Sequence, residues 1–105
     1  MMYDEGLAGE IREALAAADV IADEKAMFGG LAFLVRGHMA IAASGKGGLM
    51  VRCAPEETDA LLREPGAAPF EMRGKQMRGW LRVDADDVTP WVARGVAYAR
   101  SLPPK

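Results

Sequence analysis

The stretch GGLAFLVRGHMAIAASGKGGLMVRC, residues 29–53, decides the fold. Gly29-Gly30 opens it, and Leu31–Val35 follows as a run with apolar side chains on both faces, the pattern of a covered strand. Gly37 marks a turn, and His38–Ala43 reads as the antiparallel partner. Gly45-Lys46-Gly47-Gly48 is a second, looser turn leading into Leu49-Met50-Val51-Arg52-Cys53. Turns this short cannot carry the crossover that parallel strands need, so the three strands form an antiparallel meander.

Outward from this core, residues 4–18 place Leu7, Ile11, Ala14, Leu15 and Ala18 on one helical face, with Asp4 as N-cap. Residues 20–25 read either as a frayed helix end or as an extended approach to the meander. Pro55 suits the first position of a second helix, with Glu56 and Glu57 in its first turn and Pro65-Gly66 as its stop. Phe70–Arg73 and Met77–Val83 form a hairpin around Gly74-Lys75, which sets Met72 opposite Met77 and Glu71 opposite Arg78. Phe70, Met72, Met77, Gly79 and Leu81 then share one face. Glu71, Arg73, Gln76, Arg78, Trp80 and Arg82 share the other. Thr89-Pro90 starts a last helix, N-cap followed by proline, that runs to about Ser101. The expected fold is α+β in two layers, order α-β-β-β-α-β-β-α: an antiparallel sheet of about five strands with helices on one face. All of residues 1–105 is expected to be one domain.

Composition narrows the function classes. A net charge of −2 over 105 residues gives the whole molecule no general attraction to nucleic acid or anionic membrane. No basic stretch followed by an apolar run opens the chain, and no apolar stretch reaches the ~18 residues of a membrane span. With Cys53 as the one cysteine, a reduced, cytoplasmic location is expected. His38 is the one histidine, so neither a histidine metal pair nor a two-histidine relay can form. His38 with Cys53 is the remaining nucleophilic pairing, and it depends on register: if Ala43 pairs with Leu49 the two diverge, and a slip of one residue brings them to one face. A buried thiol and a surface imidazole are the favoured reading. Asp84, Asp86 and Asp87 lack the glycine and terminal glutamate of a calcium loop, and neither glycine cluster opens a helix as a phosphate cradle must. No catalytic residues, no metal and no cofactor are expected.

One local feature stands out. Arg73, Lys75, Arg78 and Arg82 lie within ten residues of each other, and Trp80 shares their face. Arginine beside an aromatic is the composition of a protein-interface anchor and also of a nucleic-acid contact. The plainer reading packs Trp80 under a helix and leaves the arginines as a solvated edge that discourages sheet aggregation. A further alternative is a ligand pocket lined by Phe33, Met39 and Met50 and polarised by Arg52, a charged residue in an apolar strand.

The segments Met27-Phe28-Gly29-Gly30-Leu31-Ala32-Phe33, Leu49-Met50-Val51-Arg52, Gly74-Lys75-Gln76-Met77-Arg78-Gly79 and Ser101-Leu102-Pro103-Pro104-Lys105, in that order, resemble the TfoX/Sxy N-terminal-domain family. Met27, Phe28, Gly29 and Gly30 form its most specific motif. The resemblance implies a bacterial protein with a two-layer, secretion-chaperone-like fold. The full-length relatives regulate natural competence and carry an additional C-terminal domain. The expectation for this chain is a non-enzymatic regulatory domain with a protein partner, itself included as a homodimer. Nucleic-acid contact through hairpin 70–83 is the alternative.

Overall fold

The computed structural model describes residues 3–27 and 29–104; Phe28 of the glycine motif lies outside the described residues. Its centre is an open antiparallel sheet of six strands in the order β1-β2-β3-β4-β6-β5. These are β1 (Asp23–Met27), β2 (Gly30–Val35), β3 (His38–Ala43), β4 (Leu49–Arg52), β5 (Ala67–Met72) and β6 (Lys75–Val83). Helices α1 (Glu5–Ala17), α2 (Thr58–Leu61) and α3 (Thr89–Ser101) complete it, with a 3-10 turn over Pro55–Glu57 ahead of α2. The α+β class and helix order stand as expected. The sheet has one strand more, because the segment left open after the first helix becomes edge strand β1, paired from Asp23↔Leu34 to Met27↔Gly30.

Local chemistry accounts for the element ends. The Asp4 carboxylate accepts the amides of Gly6 and Leu7 and so caps α1. At the start of α3 the cap shifts by one turn residue: Thr89 is already helical, and its amide donates to the Asp87 carboxylate at 3.0 Å. The backbone and side-chain hydrogen bonds from Thr89 hold the Asp87 carboxyl below its ordinary range.

Two hairpins turn on the same dipeptide. Arg36-Gly37 joins β2 to β3 and Arg73-Gly74 joins β5 to β6, with φ of 56° and 87° in the first and 54° and 79° in the second. Positive φ at both central residues is the type I′ geometry, which matches strand twist and strongly favours glycine second. That preference corrects the expected turn at Gly74-Lys75 by one residue. Met72 pairs with Lys75 and Glu71 with Gln76, rather than with Met77 and Arg78. A second irregularity, between Pro69 and Glu71, moves Phe70 off its expected face and onto that of Trp80, with ring centroids 6.1 Å apart.

The main core fills the space between one sheet face and the helices. Leu31, Phe33, Ile41, Leu49, Val51, Leu81 and Val83 meet Ala8, Ile11 and Leu15 of α1 and Trp91, Val92, Val96 and Ala99 of α3. Thr58 is the one buried polar residue among those described. Its hydroxyl oxygen accepts the Gly79 amide at 2.8 Å and lies 3.8 Å from Cys53 Sγ. Gly79, at φ 88°, is where β6 bends toward α2. Thr58→Val keeps the shape and leaves that buried amide without an acceptor. We expect it to cost ~1–3 kcal/mol in a urea unfolding titration, with Thr58→Ser recovering most of the loss.

Candidate functional site

The sheet has a second apolar cluster, on the face turned away from the helices. Ala32, Met39, Ala42 and Met50 are buried there, with half-buried Met27, Leu34, Phe70 and Trp80 around them. Every member comes from a strand, so among the described residues no helix contributes to this layer. The cause is legible in β2 and β3, whose sequences are apolar on both sides of the pleat.

Charged residues reach this face through the register. Residues directly opposite each other on antiparallel strands share a face. Lys25 pairs with Ala32, Arg82 with Met50, and Arg52 with Trp80, which places three cations around the apolar bed. Asp23, opposite Leu34, is the carboxylate at its edge.

Arg52 is held in an unusual way. Its guanidinium carbon lies 4.9 Å from the centroid of Trp80 and 5.1 Å from that of Tyr98 on α3, so two π faces flank the cation. Its Nε is buried with no acceptor, and none of its nitrogens donates to another described residue. The ion pairs of the described residues are Arg12–Glu24, Arg78–Asp59 and Arg94–Glu64. Lys25, Arg52 and Arg82 take part in none of them.

The basic hairpin is distributed rather than gathered. Arg73 and Lys75 are exposed at its tip. Arg78 is drawn to the helix side by the bend at Gly79: it donates to the Asp59 carboxylate at 3.2 Å and to the Pro55 carbonyl at 2.9 Å. Arg82 points along the opposite face, with its terminal nitrogen 3.5 Å from the Gly47 carbonyl. Trp80 is half-buried between Phe70 and Arg52. The single face expected for Arg73, Arg78, Trp80 and Arg82 therefore does not form.

The pocket expected from Phe33, Met39, Met50 and Arg52 does not form either. Phe33 packs under the helices, whereas Met39 and Met50 lie across the sheet from it. A groove of about 330 Å³ does open between α2 and α3, lined by other residues, among them Glu57, Leu61, Arg94, Tyr98 and Ser101. Cys53 reaches its floor, but burial pushes the thiol above its ordinary pKa, partly offset by the Thr58 hydrogen bond, so at neutral pH it stays protonated and a poor nucleophile.

The observed register pairs Ala43 with Leu49, the arrangement that separates His38 from Cys53. Cys53 faces Thr58, while the His38 Nε2 donates to the Pro103 carbonyl at 2.6 Å. Beside it, Arg36 donates to the carbonyl of Arg100 at the end of α3. Both residues tie the chain after α3 to the β2–β3 turn, and a cation at a helix C-terminus also suits the helix dipole.

The two glycines of the Met27–Gly30 motif act differently. Gly29 supplies a φ of 74°, and a Cβ on it would meet nothing within 4 Å. A Cβ on Gly30 would collide with the Ala43 carbonyl oxygen. Among the described residues no group of three His, Cys, Asp or Glu side chains is placed to hold a metal ion, and no helix is long and apolar enough to cross a membrane. The sequence groups Arg52 with Met39 and Met50, as the structure does, but adds Phe33 from the other face and leaves out Trp80 and Arg82, which join them. The alternation of Met50 and Arg52 along β4 was the signal for that grouping.

The family model described as the TfoX N-terminal domain matches residues 13–99. No curated protein and no solved structure matches the chain.

Proposed function

The chain belongs to the TfoX N-terminal domain family, and from that premise we propose that it is a non-catalytic regulatory module that docks a protein partner on its open sheet face. The family is not a known enzyme family, and its membership points to a domain of the competence-regulator kind. The observation that carries the reading is the second apolar cluster. Ala32, Met39, Ala42 and Met50 form a layer of their own on the side of the sheet without helices. Those four side chains are covered by their neighbours, and the surface presented is the half-buried ring of Met27, Leu34, Phe70 and Trp80, which with its charged rim has the composition of an interaction surface. Trp80 is its natural anchor, a large aromatic half-buried at the edge of the bed.

Capture of partners from a bacterial extract, with and without nuclease, tests this. Trp80→Ala is expected to abolish capture of a nuclease-resistant protein while retaining a cooperative melt. Arg78→Glu is the matched control, since that side chain is engaged with Asp59 away from the face. Equal capture by wild type and Trp80→Ala would remove the open face from the account. Material lost on nuclease treatment, with retention falling steeply as salt rises, would favour the nucleic-acid reading of the basic hairpin instead.

A further inference from the structure

The open face combines apolar surface with cations that form no ion pair among the described residues, and that combination selects a partner chemistry. We propose that Arg52 is a carboxylate-binding anchor, and that the occupant of this face is an acidic amphipathic segment of another protein, apolar residues flanking an Asp or Glu. This inference rests on the docking face argued above and adds the chemical class of what docks there.

Arg52 is pre-positioned for the task. A guanidinium presents a rigid fork of donors that matches a carboxylate bidentately. Here the fork is oriented by two aromatic rings rather than by hydrogen bonds, so its donors remain uncommitted. The Nε is buried without an acceptor, so the guanidinium is incompletely satisfied, and an incoming carboxylate would bind it at the terminal nitrogens. Around it, half-buried Trp80 and Phe70 supply apolar surface for the residues on either side of that carboxylate.

The charge pattern selects among occupants. Among the described residues the register sets Lys25, Arg52 and Arg82 around this bed, with Asp23 at its edge. A second copy of this chain docked face to face would supply Asp23 alone from the register around this bed against Lys25, Arg52 and Arg82, too little negative charge to match all three. A nucleic-acid backbone offers phosphates but leaves half-buried Met27, Leu34, Phe70 and Trp80 without an apolar partner. An acidic amphipathic segment fits both halves of the surface.

The test is selection of random 12-residue peptides displayed on phage, run against wild type and against Trp80→Ala in parallel. The expected result is enrichment of Asp or Glu flanked by apolar residues on the wild type alone. Binding of a selected peptide, followed by fluorescence anisotropy, should weaken roughly tenfold or more in Arg52→Gln. Lys25→Glu and Arg82→Glu alter exposed or half-exposed side chains without touching the helix-side core, and each should weaken the same peptide and shrink its salt dependence. Enriched peptides without acidic residues, or indifference to Arg52→Gln and to both charge reversals, would overturn the carboxylate anchor and leave the docking face standing. Enrichment equal on wild type and Trp80→Ala would overturn both.

Discussion

Gly30→Val is expected to destabilise the domain by at least ~3 kcal/mol, near or beyond the upper end of ordinary overpacking and a large share of a typical folding free energy of ~5–15 kcal/mol. The cause is space. Gly30 begins β2 and its backbone torsions are open to any residue, but a Cβ on it would occupy the position of the Ala43 carbonyl oxygen, with the Gly45 amide nitrogen 3.0 Å away. Both obstacles are backbone, so neither can rotate aside. The end of β3 and the loop into β4 would have to move, which loosens the pairing of Ala43 with both Leu31 and Leu49. Differential scanning calorimetry on Gly30→Val, Gly30→Ala and Gly29→Ala separates the two glycines. Both Gly30 variants should melt far below wild type. Gly29→Ala should lose only about 1 kcal/mol, the cost of a positive φ without a clash. Equal melting temperatures across the set would show that the approach to Ala43 relaxes freely.

Gly95→Ala is the second large effect, and its sign runs against helix propensity. On an exposed helix the change would stabilise by ~1 kcal/mol. Gly95 is instead buried in α3, where a Cβ would collide with the Ala40 carbonyl oxygen and come within 3.0 Å of its carbonyl carbon. The added methyl must lift α3 from β3, opening contacts around Val92, Val96 and Ala99. We expect a loss of ~2–3 kcal/mol in chemical denaturation. A neutral or stabilising result would show that α3 is not seated on the sheet at this point.

These two glycines also show what the sequence could convey. Periodicity and turn chemistry were enough for the meander, the last hairpin and all three helices, because those signals are local. Gly30 could be suspected but not explained, since the atom it makes room for is thirteen residues away. Gly95 carried no signal at all, because the helical pattern does not say which backbone packs against it. The register of the last hairpin was misread by one residue because Arg73-Gly74 and Gly74-Lys75 both contain the glycine that a two-residue turn wants. That slip, with the irregularity at Pro69–Glu71, moved Phe70 across the sheet. Arg78 was misplaced for a related reason, as alternation does not survive a residue at φ 88°. The candidate site was visible as residue types, in Trp80 and the arginines, but its composition depended on which strands are neighbours. Arg52 and Trp80 are twenty-eight residues apart, and the β4–β6 pairing that joins them is not written in any short window.

That pairing has a mechanical consequence. Every other neighbouring pair in the sheet is consecutive in the chain, so β1 to β4 and β5 to β6 can each zip locally. The two halves meet at one seam, between β4 and β6, with Met50 opposite Arg82 and Arg52 opposite Trp80. A partner gripping Arg52 and Trp80 together would span that seam as a brace across a joint. Its binding energy would add to the work of parting the halves, so occupancy should raise the melting temperature with partner concentration. The Arg52–Trp80 part of the surface exists only when the joint is closed, which makes partner binding there a report on the completed fold.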